Sequence, residues 1–90
     1  MPMESGDFNK LMIAFRSDLE GISNQLHEAK EGRLTKKESE AAVEAAKTKV
    51  ADYEQLLNDP RFNDLRRKQA EGRFQEEIDW LRDTLKVVAK

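Results

Sequence analysis

The stretch from Phe8 to Ala29, FNKLMIAFRSDLEGISNQLHEA, decides the fold because its apolar residues recur at alternating spacings of four and three. At about 100° per residue, these residues occupy a sector of roughly 100° on one side of a helix. The pattern predicts an amphipathic first helix whose apolar seam resembles that of a coiled coil. The seam consists of Phe8, Met12, Phe15, Leu19, Ile22, Leu26 and Ala29.

Helix-terminating residues divide the rest of the chain. Gly32 follows a helical stretch and is typical of a left-handed helix end. The segment from Thr35 to Glu38 fits a capping box, which starts a second helix at residue 36. Asp59 and Pro60 suit the N-cap and the first position of a third helix. We therefore predict helices over about residues 6–31, 36–58 and 60–88.

The chain has 90 residues, four glycines and two prolines, which favours a single all-α domain over residues 1–90. We expect a three-helix bundle, or an antiparallel helical hairpin plus a third helix, with coiled-coil-like packing. Short connections favour burial of the first seam inside this bundle. Self-association through Phe8, Met12, Phe15, Leu19, Ile22 and Leu26 is the alternative.

Composition limits the class of protein. The chain has no cysteine, a formal net charge of −2, and basic and acidic residues that are interspersed. Its start has no basic segment, and its apolar run at residues 11–15 is too short for a signal sequence or membrane span. These features predict a soluble cytoplasmic protein that has no membrane partner.

Catalytic and metal-binding patterns are absent from the sequence. His27 is the single histidine, whereas a metal site needs three or four ligands. The serines have no nucleophile motif around them, and the isolated glycines form no phosphate-binding loop. We therefore predict that the protein is not an enzyme and uses no metal, cofactor or small-molecule substrate.

The third helix carries two apolar faces. Ala70, Phe74, Ile78, Leu81, Leu85 and Val88 form the first face. The second face consists of Phe62, Leu65, Trp80 and Val87. Around the helix, Phe62 and Leu65 lie roughly 120–180° from the first face. Either this helix is continuous and has two apolar faces, or Gly72 breaks it. A continuous helix is favoured, because one internal glycine lowers helix stability by only about 1 kcal/mol relative to alanine. Trp80 either flanks the core or contacts a partner.

Basic residues cluster beside the second face, in the segment from Arg61 to Arg73. They are Arg61, Arg66, Arg67, Lys68 and Arg73. Three consecutive basic residues point in three directions on a helix, so a solvated surface is favoured over a nucleic-acid site.

The expected function is that of a small helical protein–protein interaction or assembly module, such as an accessory, chaperone-like, inhibitor or phage protein. It would dock on another protein or form a homo-oligomer. A nucleic-acid-associated regulator that uses Arg61–Arg73 is the alternative. The predicted partner-binding residues are Trp80, Val87, Phe62, Leu65, Arg66, Arg67, Lys68 and Arg73.

Overall fold

A computed structural model describes residues 3–88, which form α1 (Ser5–Lys30), α2 (Lys36–Leu57) and α3 (Asp64–Val88) and no strand. The three helices pack against one another in a rod of 44 × 20 × 17 Å. Phe8 and Phe62 meet at one end with ring centroids 5.4 Å apart, and His27 and Trp80 meet farther along at 5.7 Å. Because α1 and α3 are thus parallel, the chain runs up, down and up. The predicted all-α three-helix bundle is confirmed.

The seam of α1 forms the centre of the core. Leu19 and Leu26 are fully buried, and Met12 is 1% exposed. The ring of Phe15 lies 6.2 Å from that of Tyr53 on α2 and 4.8 Å from that of Phe74 on α3. The seam therefore packs against both other helices of its own chain.

The connection between α1 and α2 follows from local signals. Gly32 has a φ of +74°, and the amide of Arg33 donates to the carbonyl of Glu28 at 3.0 Å, as in a Schellman motif. The Glu38 amide donates to the Thr35 hydroxyl at 3.1 Å, while the Thr35 amide donates to the Glu38 carboxylate at 2.9 Å. These bonds lower the pKa of Glu38 below its ordinary value. The predicted capping box is present.

The third helix begins at Asp64, four residues later than the predicted start at residue 60. The carboxylate of Asp59 accepts from the amide of Arg61 at 2.9 Å, and the amide of Phe62 donates to the Asp59 carbonyl at 3.0 Å. This closes a turn around Pro60. The side chain of Asn63 then accepts from the Arg66 amide at 2.9 Å and caps the helix.

The position of Phe62 explains the later start. Phe62 is 4% exposed and packs edge-on against Phe8. On a helix that began at residue 60, Phe62 would point away from the core. Burying its ring is worth about 2 kcal/mol, more than one extra helical turn at the surface provides.

Gly72 does not interrupt α3, so the continuous alternative agrees with the structure. Apart from the adjacent backbone of α3, a Cβ added at Gly72 would meet no atom of the described residues within 4 Å. The fold of one chain therefore supplies no steric reason for glycine there, although glycine costs about 1 kcal/mol relative to alanine in a helix.

Replacing Thr35 with alanine should lower the free energy of unfolding by about 1 kcal/mol, because the cap of α2 is lost. In a chain of this size the melting temperature should fall by about 5 °C, measurable by circular dichroism. Thr48→Ala is the matched control, since Thr48 is exposed within the same helix. An equal loss in both variants would contradict the role of the cap.

Candidate functional site

The seam of α1 is not an open surface in the folded chain. Ile22 is partly buried, and the other five candidate self-association residues are buried: Phe8, Met12, Phe15, Leu19 and Leu26. Pairing of two chains through this seam would require the bundle to open and lose its core.

One side of α3 faces away from the core along its whole length. At about 100° per residue, seven positions on this side fall within an arc of about 80°. All are exposed except Trp80, which is partly buried. We call this surface the outer face; it consists of Leu65, Gln69, Gly72, Glu76, Trp80, Asp83 and Val87.

The apolar residues of the outer face are spread out. Leu65 and Val87 are each 64% exposed. They lie 22 positions apart, or about 33 Å along the helix. Trp80 lies between them, so the outer face retains three members of the predicted second face. Phe62 does not belong to it, because its side chain is in the core.

Trp80 both covers the core and reaches the surface. It packs against the core cluster, and its ring lies 5.7 Å from that of His27. A shallow hollow of about 270 Å³ beside it is lined by Ser23, Asn24, His27, Glu77 and Trp80. Among residues 3–88, the buried Ser23 hydroxyl has no hydrogen-bond partner. The two predicted roles of Trp80 are therefore geometrically compatible.

Two arginines of the basic cluster stabilise the bundle itself. The guanidinium of Arg66 donates to the carbonyl of Met3 and lies 5.1 Å from the centre of the Phe8 ring. Arg67 donates through Nε to the carbonyl of Leu57 at 2.9 Å, at the end of α2. These hydrogen bonds and the cation–π contact hold the start of α3 against α1 and the end of α2.

The remaining basic residues point in different directions. Arg61 forms an ion pair with Asp59 at 2.7 Å, and its donated hydrogen bonds lower the pKa of Asp59. Lys68 and Arg73 are exposed and form no ion pair among residues 3–88. The cluster therefore presents no continuous basic surface of the kind that follows a phosphate backbone.

A second hollow gathers several predicted binding residues at the start of α3. It has a volume of about 400 Å³ and lies between α1 and α3. Its lining includes three of the predicted partner-binding residues: Leu65, Arg66 and Arg73. Arg67 and Lys68 do not line it.

Lys49 is a buried charged residue that the sequence pattern did not single out. Its side chain is 7% exposed, and Nζ lies 3.5 Å from Asp18 Oδ2 and 4.1 Å from the centre of the Phe15 ring. The helical spacing from Ala42 and Ala46 to Tyr53 could have placed residue 49 on the same buried side.

Among residues 3–88, no three His, Asp or Glu side chains come together as a metal site requires. In the same segment, no helix has the length and apolar character needed to cross a bilayer.

Comparisons with protein-family models, curated proteins and solved structures found no match to this chain.

The contacts of Arg66 and Arg67 predict how alanine variants of the basic cluster differ. Arg66→Ala and Arg67→Ala should each lower the free energy of unfolding by about 1 kcal/mol, since each loses a charge-assisted bond to a backbone carbonyl. Lys68→Ala should leave it nearly unchanged. Chemical denaturation of the three variants measures this, and a comparable loss for Lys68→Ala would argue against the assignment.

Proposed function

We propose that this protein is a small helical interaction module that binds a protein partner through the outer face of α3. The observation that carries the proposal is the placement of Leu65, Trp80 and Val87 on one continuous helix face while the seam of α1 is buried. Both docking on a larger protein and assembly of copies of the chain are forms of this function.

The distribution of exposed apolar side chains supports the choice of α3. Three large apolar residues among positions 3–88 are strongly exposed, and two of them, Leu65 and Val87, share the outer face. The third, Ile13, lies on α1 and is 67% exposed. Its helical neighbours Asn9, Arg16 and Ser17 are polar, so it is isolated.

Trp80 suits the role of an anchor. Its contacts with His27 and the core hold the ring in place, so little conformational freedom is lost when a partner covers its exposed edge. Tryptophan is also enriched among residues that dominate binding energy. Leu65 and Val87 would extend the contact toward the two ends of the helix.

The intrachain contacts of Arg61, Arg66 and Arg67 favour a protein partner over nucleic acid. A nucleic-acid-associated regulator stays the alternative prediction, and salt-dependent binding to DNA or RNA would support it. As part of the proposal we place the module in the cytoplasm, in an accessory, chaperone-like or inhibitory role.

The outer face can be tested by affinity capture with the immobilised chain in an extract of its source cell. Proteins retained by the unchanged chain should be lost with the double variant Leu65→Ser and Val87→Ser. Ile13→Ser removes an equally exposed apolar side chain from α1 and should retain them. Retention of the same proteins by the double variant, identified by mass spectrometry, would refute the assignment of the face.

A further inference from the structure

We propose that the outer face of α3 binds a second copy of this chain, antiparallel to the first, about a two-fold axis at Glu76. This inference rests on the proposed function and names the occupant of the same surface. It is carried by the arrangement of residues on either side of Glu76 and by the charges along the face.

The outer face is symmetric in spacing about its midpoint. Leu65 and Val87 lie eleven positions before and after Glu76, and Gly72 and Trp80 lie four positions before and after it. In an antiparallel two-fold pair, a residue on one side of the axis meets the residue at the same distance on the other side of the partner. Both exposed apolar residues of α3 are then covered at once.

The pairing places Leu65 against Val87 of the second copy, and the reverse contact forms at the other end. At the intermediate positions, Gln69 meets Asp83 of the second copy, seven positions from the axis in each chain. The Gln69 amide can donate to that carboxylate. The two strongly exposed apolar residues thus meet each other, and the polar pair is complementary.

Gly72 gains a role in this pair. Beyond the local turn of its own helix, a Cβ at this position would meet no atom of residues 3–88 within 4 Å, so the space above Gly72 is open. The antiparallel arrangement brings Trp80 of the second copy to the level of that space along the helix axis. A missing side chain opposite a large aromatic ring allows two helices to approach closely.

Opposite charges meet across the axis at two places beside the face. Arg73 and Glu77 lie on the same flank, and in the pair Arg73 comes within about 3 Å, measured along the axis, of the level of Glu77 of the second copy. Toward the other flank, Lys68 lies at nearly the same level as Asp83 of the second copy. Lys68 and Arg73 are the two members of the basic cluster whose side chains form neither an ion pair nor a hydrogen bond among residues 3–88.

Two contacts oppose the pairing. Lys68 and Lys86 share one flank, and in the pair Lys68 comes within about 3 Å, measured along the axis, of the level of Lys86 of the second copy. Glu76 meets Glu76 of the second copy at the axis, and like charges that face each other repel. Arg73, one turn away in each chain, offsets part of this repulsion. Since a single pair of helices also forms a small interface, we expect a dimer with a dissociation constant on the order of 10 µM.

The first test changes Gly72 to glutamine and measures molar mass by sedimentation equilibrium over a range of concentrations. Glutamine favours a helix and fills the space needed by Trp80, so Gly72→Gln should raise the melting temperature yet weaken the dimer at least tenfold. Gly21→Gln is the matched control, because Gly21 is also helical, exposed and free of neighbours within 4 Å. It should raise the melting temperature and leave the dimer intact.

The second test exchanges the flank charges. Arg73→Glu alone and Glu77→Arg alone should each reduce dimerisation, because like charges then meet across the axis. An equimolar mixture of the two variant chains should dimerise again, since each chain supplies the charge that the other lacks. Failure of the mixture to recover would overturn the pairing.

Cysteine variants separate antiparallel from parallel pairing, since the chain has no native cysteine. A mixture of Leu65→Cys and Val87→Cys chains should form a mixed disulfide faster than either chain forms a disulfide with itself. Preferential self-linkage of Leu65→Cys would indicate parallel pairing and overturn the proposal. A monomer at all concentrations, with capture still dependent on Leu65 and Val87, would refute the second copy while leaving the interaction function standing.

Discussion

The burial of Phe15 between α2 and α3 is the contact on which the bundle depends. Its ring touches Tyr53 and Phe74, so one side chain of α1 joins all three helices. Each large apolar side chain that leaves water contributes about 1.5–3 kcal/mol. The buried side of α2 is poorer, with Ala42 and Ala46 next to Tyr53, and α2 therefore relies on α1 for its position.

The helix boundaries differ in how far local sequence determines them. The end of α1 and the start of α2 could be predicted, because Gly32 and the pair Thr35–Glu38 satisfy backbone groups within a few residues. The start of α3 could not, because Asp59 and Pro60 equally suit a helix start and a turn. The remote contact between Phe8 and Phe62 decides between them.

In the candidate site, too, some features follow from local sequence and others depend on remote contacts. Periodicity placed Leu65, Trp80 and Val87 together on α3, and the structure keeps them on one face. The contacts of Arg66 could not be predicted from spacing, because the Met3 carbonyl that accepts its hydrogen bond is 63 positions away in the chain. A residue's neighbours on its own helix follow from its spacing, whereas its partners on other helices follow from the packing of the bundle.

Because the chain runs along the rod three times, its first and last described residues lie at opposite ends of the rod. Met3 lies beside Arg61 at one pole of the rod, whereas Val88 lies beside Lys36 and Val43 at the opposite pole. Residues 3 and 88 therefore lie at opposite poles of a body 44 Å long. In an antiparallel pair, each pole would present the first described residues of one copy and the last of the other. Polypeptides fused to either end could then be displayed at both poles of the assembly.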